Sequence, residues 1–245
     1  MAISVEQLAE VFVEMADTLV DDFDIIEFRQ GVTRHTSELA PATAAGLLLA
    51  DRHGRLQLMA ASDEQARMVE LFQVQAVEGP CQDCYRLGSP VVNADLATAG
   101  DRWPQFAPRA VEAGFRSVHA FPLRLRREVI GALNLFGREP VHMEDADARV
   151  VQALADVATI GLLQQRAIQQ AELLTEQLQT ALDSRIVIEQ AKGALAQVHG
   201  CSPDQAFELL RRWCRNHNRR LTEVAQAFTA DPSRFPDLST ARRDG

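Results

Sequence analysis

Apolar residues recur at steps of three and four from Val5 through Leu8, Val11 or Phe12, Met15 and Leu19, which predicts an amphipathic helix. A second helix follows through about Leu39. The pattern then changes: "AAGLLLADRHGRLQLMAA" (44–61) sets two apolar runs around a polar turn at His53 and Gly54, the signature of a hairpin. "DEQARMVELFQ" reads as a helix, "EGPCQDCYRLG" (78–88) as a Gly-Pro loop entering a short helix, and "SPVVNAD" as a brief strand. "WPQFAPRAVEAGF" predicts a further helix closed by Gly114, and "SVHAFPLRLRREVIGALNLFG" (117–137) predicts two strands about a charged turn at Arg126 to Glu128. Hairpin strands flanked by helices imply an α+β domain with an antiparallel sheet.

From about Glu144 the pattern is helical with little interruption. Ala167, Ala171, Leu174, Leu178, Ala181 and Ile188 keep alternating steps of four and three, a heptad seam once Arg185 is admitted to it. A long helix of this kind calls for a partner helix, so a coiled-coil homodimer is expected, with a connecting helix packed on its own body as the alternative. Three helices then follow from Ser184 to Phe228. His199-Gly200 ends the first, Ser202 caps the second with Pro203 at its first position and Gln205 as capping-box partner, and Asn218 is the expected cap of the third. In the first, Val187, Ala191, Ala194 and Val198 face one side, and Arg185, Glu189, Lys192 and Ala196 the other. In the second, Ala206, Leu209, Leu210, Trp213 and His217 share one arc, and Glu208, Arg211, Arg212 and Arg215 the opposite one. The last residues, "DPSRFPDLSTARRDG", lack periodicity and are expected to be disordered.

Charge changes this picture. The chain has 245 residues and a formal net charge of −9, which alone argues against a nucleic-acid partner. Between Arg185 and Arg220, however, seven cations (Arg185, Lys192, Arg211, Arg212, Arg215, Arg219, Arg220) stand against three acids (Glu189, Asp204, Glu208). A basic module follows an acidic body. No apolar stretch approaches the roughly 20 residues that span a bilayer, and no basic leader with an apolar core opens the chain, so no membrane association and a cytoplasmic location are expected.

The run "RIVIEQAKGALA", then "HGCSPDQAFELLRR" and "NHNRRLTEVA", resembles the ANTAR domain, the three-helix RNA-binding module of bacterial transcription antiterminators; Ala191-Lys192-Gly193, the Gly200 turn, Ala206-Phe207, Leu210-Arg211 and the stretch from Asn218 to Leu221 carry the resemblance. It implies binding of paired RNA hairpins in nascent transcripts, where arginines pair with phosphates and stack on splayed loop bases. The residues it points to are Arg185, Lys192, Gly193, Arg211, Arg212, Arg215, Arg219 and Arg220, with Glu189 and Glu208 orienting them. "GPCQDCYRLGSPVVNADL", "VHAFPLRL" and "EVIGALNLFG" resemble the GAF domain, an antiparallel sheet with helices that often encloses a small-molecule pocket. The expected organisation is a GAF-like sensor over 1–165, a connecting coiled-coil helix over 166–183, an ANTAR domain over 184–230 and a tail over 231–245.

Cys81 and Cys84 have the spacing of a redox dithiol or half a zinc site. Zinc needs about four ligands, and no second close Cys/His pair accompanies them. A redox role has more support, because Cys81 lies at an expected helix start whose dipole lowers a thiol pKa, and some GAF relatives are methionine-sulfoxide reductases. The favoured reading keeps Cys81, Cys84, Asn93, Asp95 and His119 as the lining of a sensor pocket, with no catalytic residue and no metal; no spacing asserts a haem or bilin, and no cofactor is assigned. The expectation is therefore a GAF-regulated, dimeric, non-enzymatic RNA-binding antiterminator. Its alternatives are a GAF-type thiol enzyme or redox sensor and a helix-turn-helix-like DNA-binding regulator.

Overall fold

A computed structural model describes residues 4–17, 24–40, 42–126, 128–140 and 142–239. The chain divides into two compact units, 1–167 and 168–245. In the first, α1 (Val5–Asp17) and α2 (Ile25–Leu39) precede a hairpin of β1 (Ala44–Ala50) and β2 (Leu56–Ala61). Then come α3 (Glu64–Ala76), α4 (Pro80–Leu87), β3 (Val91–Asp95), α5 (Phe106–Glu112) and a second hairpin, β4 (Ser117–Leu125) and β5 (Glu128–Gly137). Glu128, expected in the turn, is the first residue of β5; Leu19, the expected end of the first helix, lies outside the described residues.

The five strands form one antiparallel sheet in the order β2-β1-β5-β4-β3. Alternation along the strands divides its side chains between two cores. Ala45 and Leu47 of β1, Phe121 and Leu123 of β4, and Leu133 and Leu135 of β5 pack with α1, α2 and the start of α6 (Asp145–His199), through Phe28, Val32, Val151, Leu154 and Ala158. Ala44 and Leu48, Val118 and Ala120, and Ala132 and Phe136 face the other way, onto α3, α4 and α5. That second core holds the fully buried Trp103, Phe106 and Phe115 together with Cys81 and Cys84.

Two glycines shape this second core. Gly46 lies on β1 where a Cβ would collide with the Glu70 side chain, and Gly79 has φ +126° where a Cβ would collide with Gln73. Without those glycines, neither polar side chain fits beneath its helix.

In the second unit, the C-terminal part of α6 is followed by α7 (Pro203–Asn216), α8 (Leu221–Ala230) and a short α9 (Pro236–Ser239). The predicted punctuation holds: Gly200 takes φ +62°, and Ser202 and Gln205 form the reciprocal capping box with Pro203 in the first turn. Asn218 is a correction. It adopts a left-handed backbone (φ +50°), which asparagine tolerates, and Arg220 occupies the N-cap of α8 with no side-chain cap bond. Buried positions are also rotated from those expected. Ala206, Leu210 and Cys214 form the buried line of α7, while Trp213 is half-buried and His217 exposed; on α6, Ala191 and Leu195 are buried and Val198 is exposed.

The tail is a second correction for residues 231–239. Asp231 caps a 3₁₀ turn, α9 follows, and Phe235 and Leu238 enter the core with Leu210, Val224 and Phe228. His199 Nε2 lies 2.7 Å from the carbonyl oxygen of Leu238. Two apolar side chains three residues apart give this polar stretch a buried face.

Candidate functional site

The basic surface of the second unit is built on α6, α7 and the start of α8. At 100° per residue Glu208, Arg211, Arg212 and Arg215 make one stripe on α7, and all four are exposed. Arg211 Nη1 lies 3.7 Å from Glu208 Oε1 one turn earlier. Among the described residues Arg212 and Arg215 form no ion pair, so their guanidinium groups are available to an anion.

On α6, Lys192 Nζ is bound by both carboxylate oxygens of Glu189, at 2.9 and 3.0 Å, and stands 5.5 Å from the ring centroid of Phe207 on α7. That cation–π contact brings the α6 stripe beside the α7 stripe, because Arg211 follows Phe207 by one turn. Arg185 is exposed and has no ion pair among the described residues. Arg219 and Arg220 share Glu223, at 3.9 and 4.0 Å. Gly193 is exposed, and a Cβ there would meet nothing within 4 Å, so internal packing does not require a glycine at this position. All eight predicted cationic and small residues lie in the second unit, and Glu189 and Glu208 hold two of the cations as expected.

The five residues expected to line one pocket are divided by the sheet. Cys81 and Cys84 are fully buried in the α3–α5 core. His119 has the strand parity of Phe121 and Leu123, on the opposite face. Its Nδ1 accepts the backbone N–H of Asn93 at 3.0 Å, and Asn93, at φ +58°, ties its side chain to the backbone of Met143 at 3.1 and 2.7 Å. Asp95 caps the following turn through Ala97 N–H at 2.9 Å. Asn93 and Asp95 border a shallow 140 Å³ depression with Ser117 and His142; the cysteines do not.

The expected dipole effect on Cys81 is overturned. Although it lies in the first turn of α4, burial and then the neighbouring Glu70 charge push its thiol well up, and burial followed by Asp83 takes Cys84 up to about 12. A buried, protonated thiol is a poor nucleophile. His119 moves the other way: burial, then His142, lowers it to about 4, so its ring is neutral near pH 7.

The sequence reading missed the polar chain beside Cys81. Glu70 is fully buried; its Oε1 accepts from Asn134 Nδ2 at 2.7 Å and its Oε2 from Gln73 Nε2 at 2.8 Å, and Gln73 Oε1 accepts the backbone N–H of Cys81 at 2.9 Å. Burial raises the Glu70 carboxyl to about 8 against the opposing effect of those two amides. The signal was present in the spacing: Ala66, Val69, Glu70 and Gln73 form an i, i+3, i+4, i+7 stripe, all buried.

Comparison with known proteins gives two domain matches. A GAF domain model matches residues 24–163, more than half of the chain, and an ANTAR domain model matches residues 176–228. Among solved structures, the GAF domain of a phosphoenolpyruvate-protein phosphotransferase from Coxiella burnetii is 19% identical, covering 67% of this chain and 98% of its own with a TM-score of 0.54. The free methionine-R-sulfoxide reductase from Neisseria meningitidis, solved with its substrate, is 18% identical over 69% of this chain and 96% of its own, with a TM-score of 0.52. These likenesses establish the fold. Comparison with curated protein sequences gave no match. Among the described residues no helix is long and apolar enough to cross a membrane. The sheet with its two cores and the capped three-helix module after it agree with both domain matches: the chain belongs to the GAF domain family and carries an ANTAR domain C-terminal to its GAF domain.

Proposed function

We propose that this protein is an RNA-binding transcription antiterminator in which the GAF domain receives a signal and the ANTAR domain binds paired hairpins in nascent transcripts. The observation that carries this reading is the exposed α7 stripe, where among the described residues Arg212 and Arg215 stand without acidic partners on a module otherwise held by its own apolar core. Arg185, Lys192, Gly193, Arg211, Arg219 and Arg220 complete the contact set. Guanidinium groups arranged this way pair with phosphates and stack on unpaired loop bases.

The active form in this reading is a homodimer joined through the exposed apolar residues of α6 between about 166 and 183. Holding an antiterminator hairpin excludes the competing terminator, so polymerase reads through. A small molecule at the GAF domain is the input, and the cytoplasm, where transcripts are made, is the place of action. Regulation is favoured over thiol catalysis because Cys81 and Cys84 are buried and their thiols are held protonated.

The test is a titration of fluorescent RNA carrying two stem-loops, with duplex DNA as competitor at matched ionic strength. Salt-sensitive binding to the RNA that DNA fails to displace supports the proposal. Displacement by DNA at equal concentration replaces it with the helix-turn-helix reading.

A further inference from the structure

At the C-terminal end of α7 the ring of His217 lies flat on the indole of Trp213, with centroids 3.9 Å apart and planes 15° from parallel. His217 Nδ1 donates to the carbonyl oxygen of Trp213 at 2.9 Å, so the imidazole is fixed both in plane and in rotation. Yet the residue is exposed, and among the described residues Trp213 is the one ring it meets. An exposed side chain ordinarily turns among its rotamers; this one has given up that freedom within the fold.

Trp213 is itself held by packing. Its indole N–H is buried without a hydrogen-bond partner among the described residues, and Phe235 meets the ring edge-on at 5.3 Å. Phe235 lies between the 3₁₀ turn and α9, a segment anchored by Leu238 in the core and by His199 Nε2 at the Leu238 carbonyl oxygen. The ANTAR match ends at residue 228, so this brace lies outside the matched domain. The surroundings of the ring suit a nucleic acid. The chain turns at Asn218, and Arg219 and Arg220 follow at once, both exposed and sharing the one carboxylate of Glu223. Arg212 and Arg215, without ion pairs among the described residues, precede the ring on the same helix. Cations before and after a fixed, exposed ring offer phosphate contacts on either side of a place where a base can stack.

We propose that His217 is a stacking platform for one unpaired base of the bound RNA, and that Phe235 acts through Trp213 to hold it in position. The inference rests on the RNA-binding reading above and adds an aromatic base contact to its cationic ones. Every base has a π face, so the contact selects an unstacked nucleotide rather than a particular sequence. A duplex, whose bases are stacked on one another, has none to give. His217 touches the base in this arrangement, and Phe235 is a positioning residue.

The experiment is a titration of the full chain with a fluorescent synthetic RNA carrying two stem-loops, at several sodium chloride concentrations, with loop bases removed one at a time as abasic sites. His217→Ala is expected to weaken binding about tenfold at every salt concentration, because stacking releases no counterions, and His217→Phe to restore it. Both variants are expected to keep the wild-type circular dichroism, the residue being exposed. One abasic position is expected to cost wild type the same factor and His217→Ala nothing further. Phe235→Ala is expected to weaken binding by less and to have no effect in the His217→Ala background; additive losses would overturn the role given to Phe235. The platform is overturned, with the RNA-binding reading left intact, by wild-type affinity in His217→Ala, by a loss that His217→Phe leaves in place, by a shallower salt slope, or by an abasic scan that is silent in wild type. If wild type shows no salt-sensitive binding to the RNA, the reading beneath the platform fails as well.

Discussion

Glu70 Oε1 accepts a hydrogen bond from Asn134 Nδ2 at 2.7 Å, so that a fully buried carboxyl ties α3 to the middle strand of the sheet. Its folded pKa, about 8, stands above its ordinary value of 4.5. The native state therefore keeps a proton that the unfolded chain releases between those values. Stability falls as pH rises across that window and levels off above it. Glu70→Gln keeps the shape and loses the proton. It is expected to flatten this dependence and to be the more stable form above pH 8 by roughly 3–5 kcal/mol, measured by urea denaturation at a series of pH values. Parallel pH profiles for the two proteins would place the Glu70 carboxyl in an unshifted environment.

Thiol accessibility tests the same core. Of the four cysteines, Cys81, Cys84 and Cys214 are buried and Cys201 is partly exposed. A disulfide reagent added to native protein is expected to modify Cys201 first, with the full complement reacting only in denaturant. Rapid native labelling of Cys81, mapped by mass spectrometry, would restore the thiol-enzyme reading.

Replacing Arg211, Arg212 and Arg215 together by alanine is expected to lower RNA affinity by at least about a hundredfold at low salt. It should also reduce the slope of log affinity against log salt by about 2, as three single-strand phosphate contacts would. All three are exposed, so the thermal midpoint should hardly move. Unchanged RNA affinity in this variant removes the α7 stripe from the interface.

The 3₁₀ turn and α9 after Asp231, a C-terminal hook, form a stability element in a stretch whose composition predicts disorder. Phe235 packs edge-on against Trp213, with ring centroids 5.3 Å apart, and also contacts Phe228 at 6.2 Å. Phe235→Ala is expected to cost about 2 kcal/mol in the second unit, less than the range for a fully enclosed phenylalanine because it sits at the rim of the core. Chemical denaturation followed by Trp213 fluorescence in a Trp103→Phe background reports on that unit alone.

The sequence was most legible where local chemistry decides structure. The capping box at Ser202 and Gln205, the Gly200 turn and the alternating strands depend on near neighbours, and the structure has them as read. What it hid depends on distant partners. Whether Glu70 faces water or the sheet is settled by a glycine 24 positions earlier and an asparagine 64 positions later. The five residues expected to line one pocket are separated for a related reason: His119 takes the sheet face of Phe121 and Leu123 through its parity on β4, while α4 carries Cys81 into the core on the other face, and neither placement is written in the residues near them. The hook was missed because composition averaged over fifteen residues conceals Phe235 and Leu238.

Gly46 and Glu70 divide one volume between a strand and a helix: the space a side chain would fill on β1 is filled from α3. Their histories are therefore joined. A lineage that gains a methyl group at position 46 must shorten residue 70 or lose the acid from the core, and Gly46→Ala is expected to be damaging alone and relieved by Glu70→Ala in a double-mutant cycle. The buried proton is thus inherited through two positions and lost through either one.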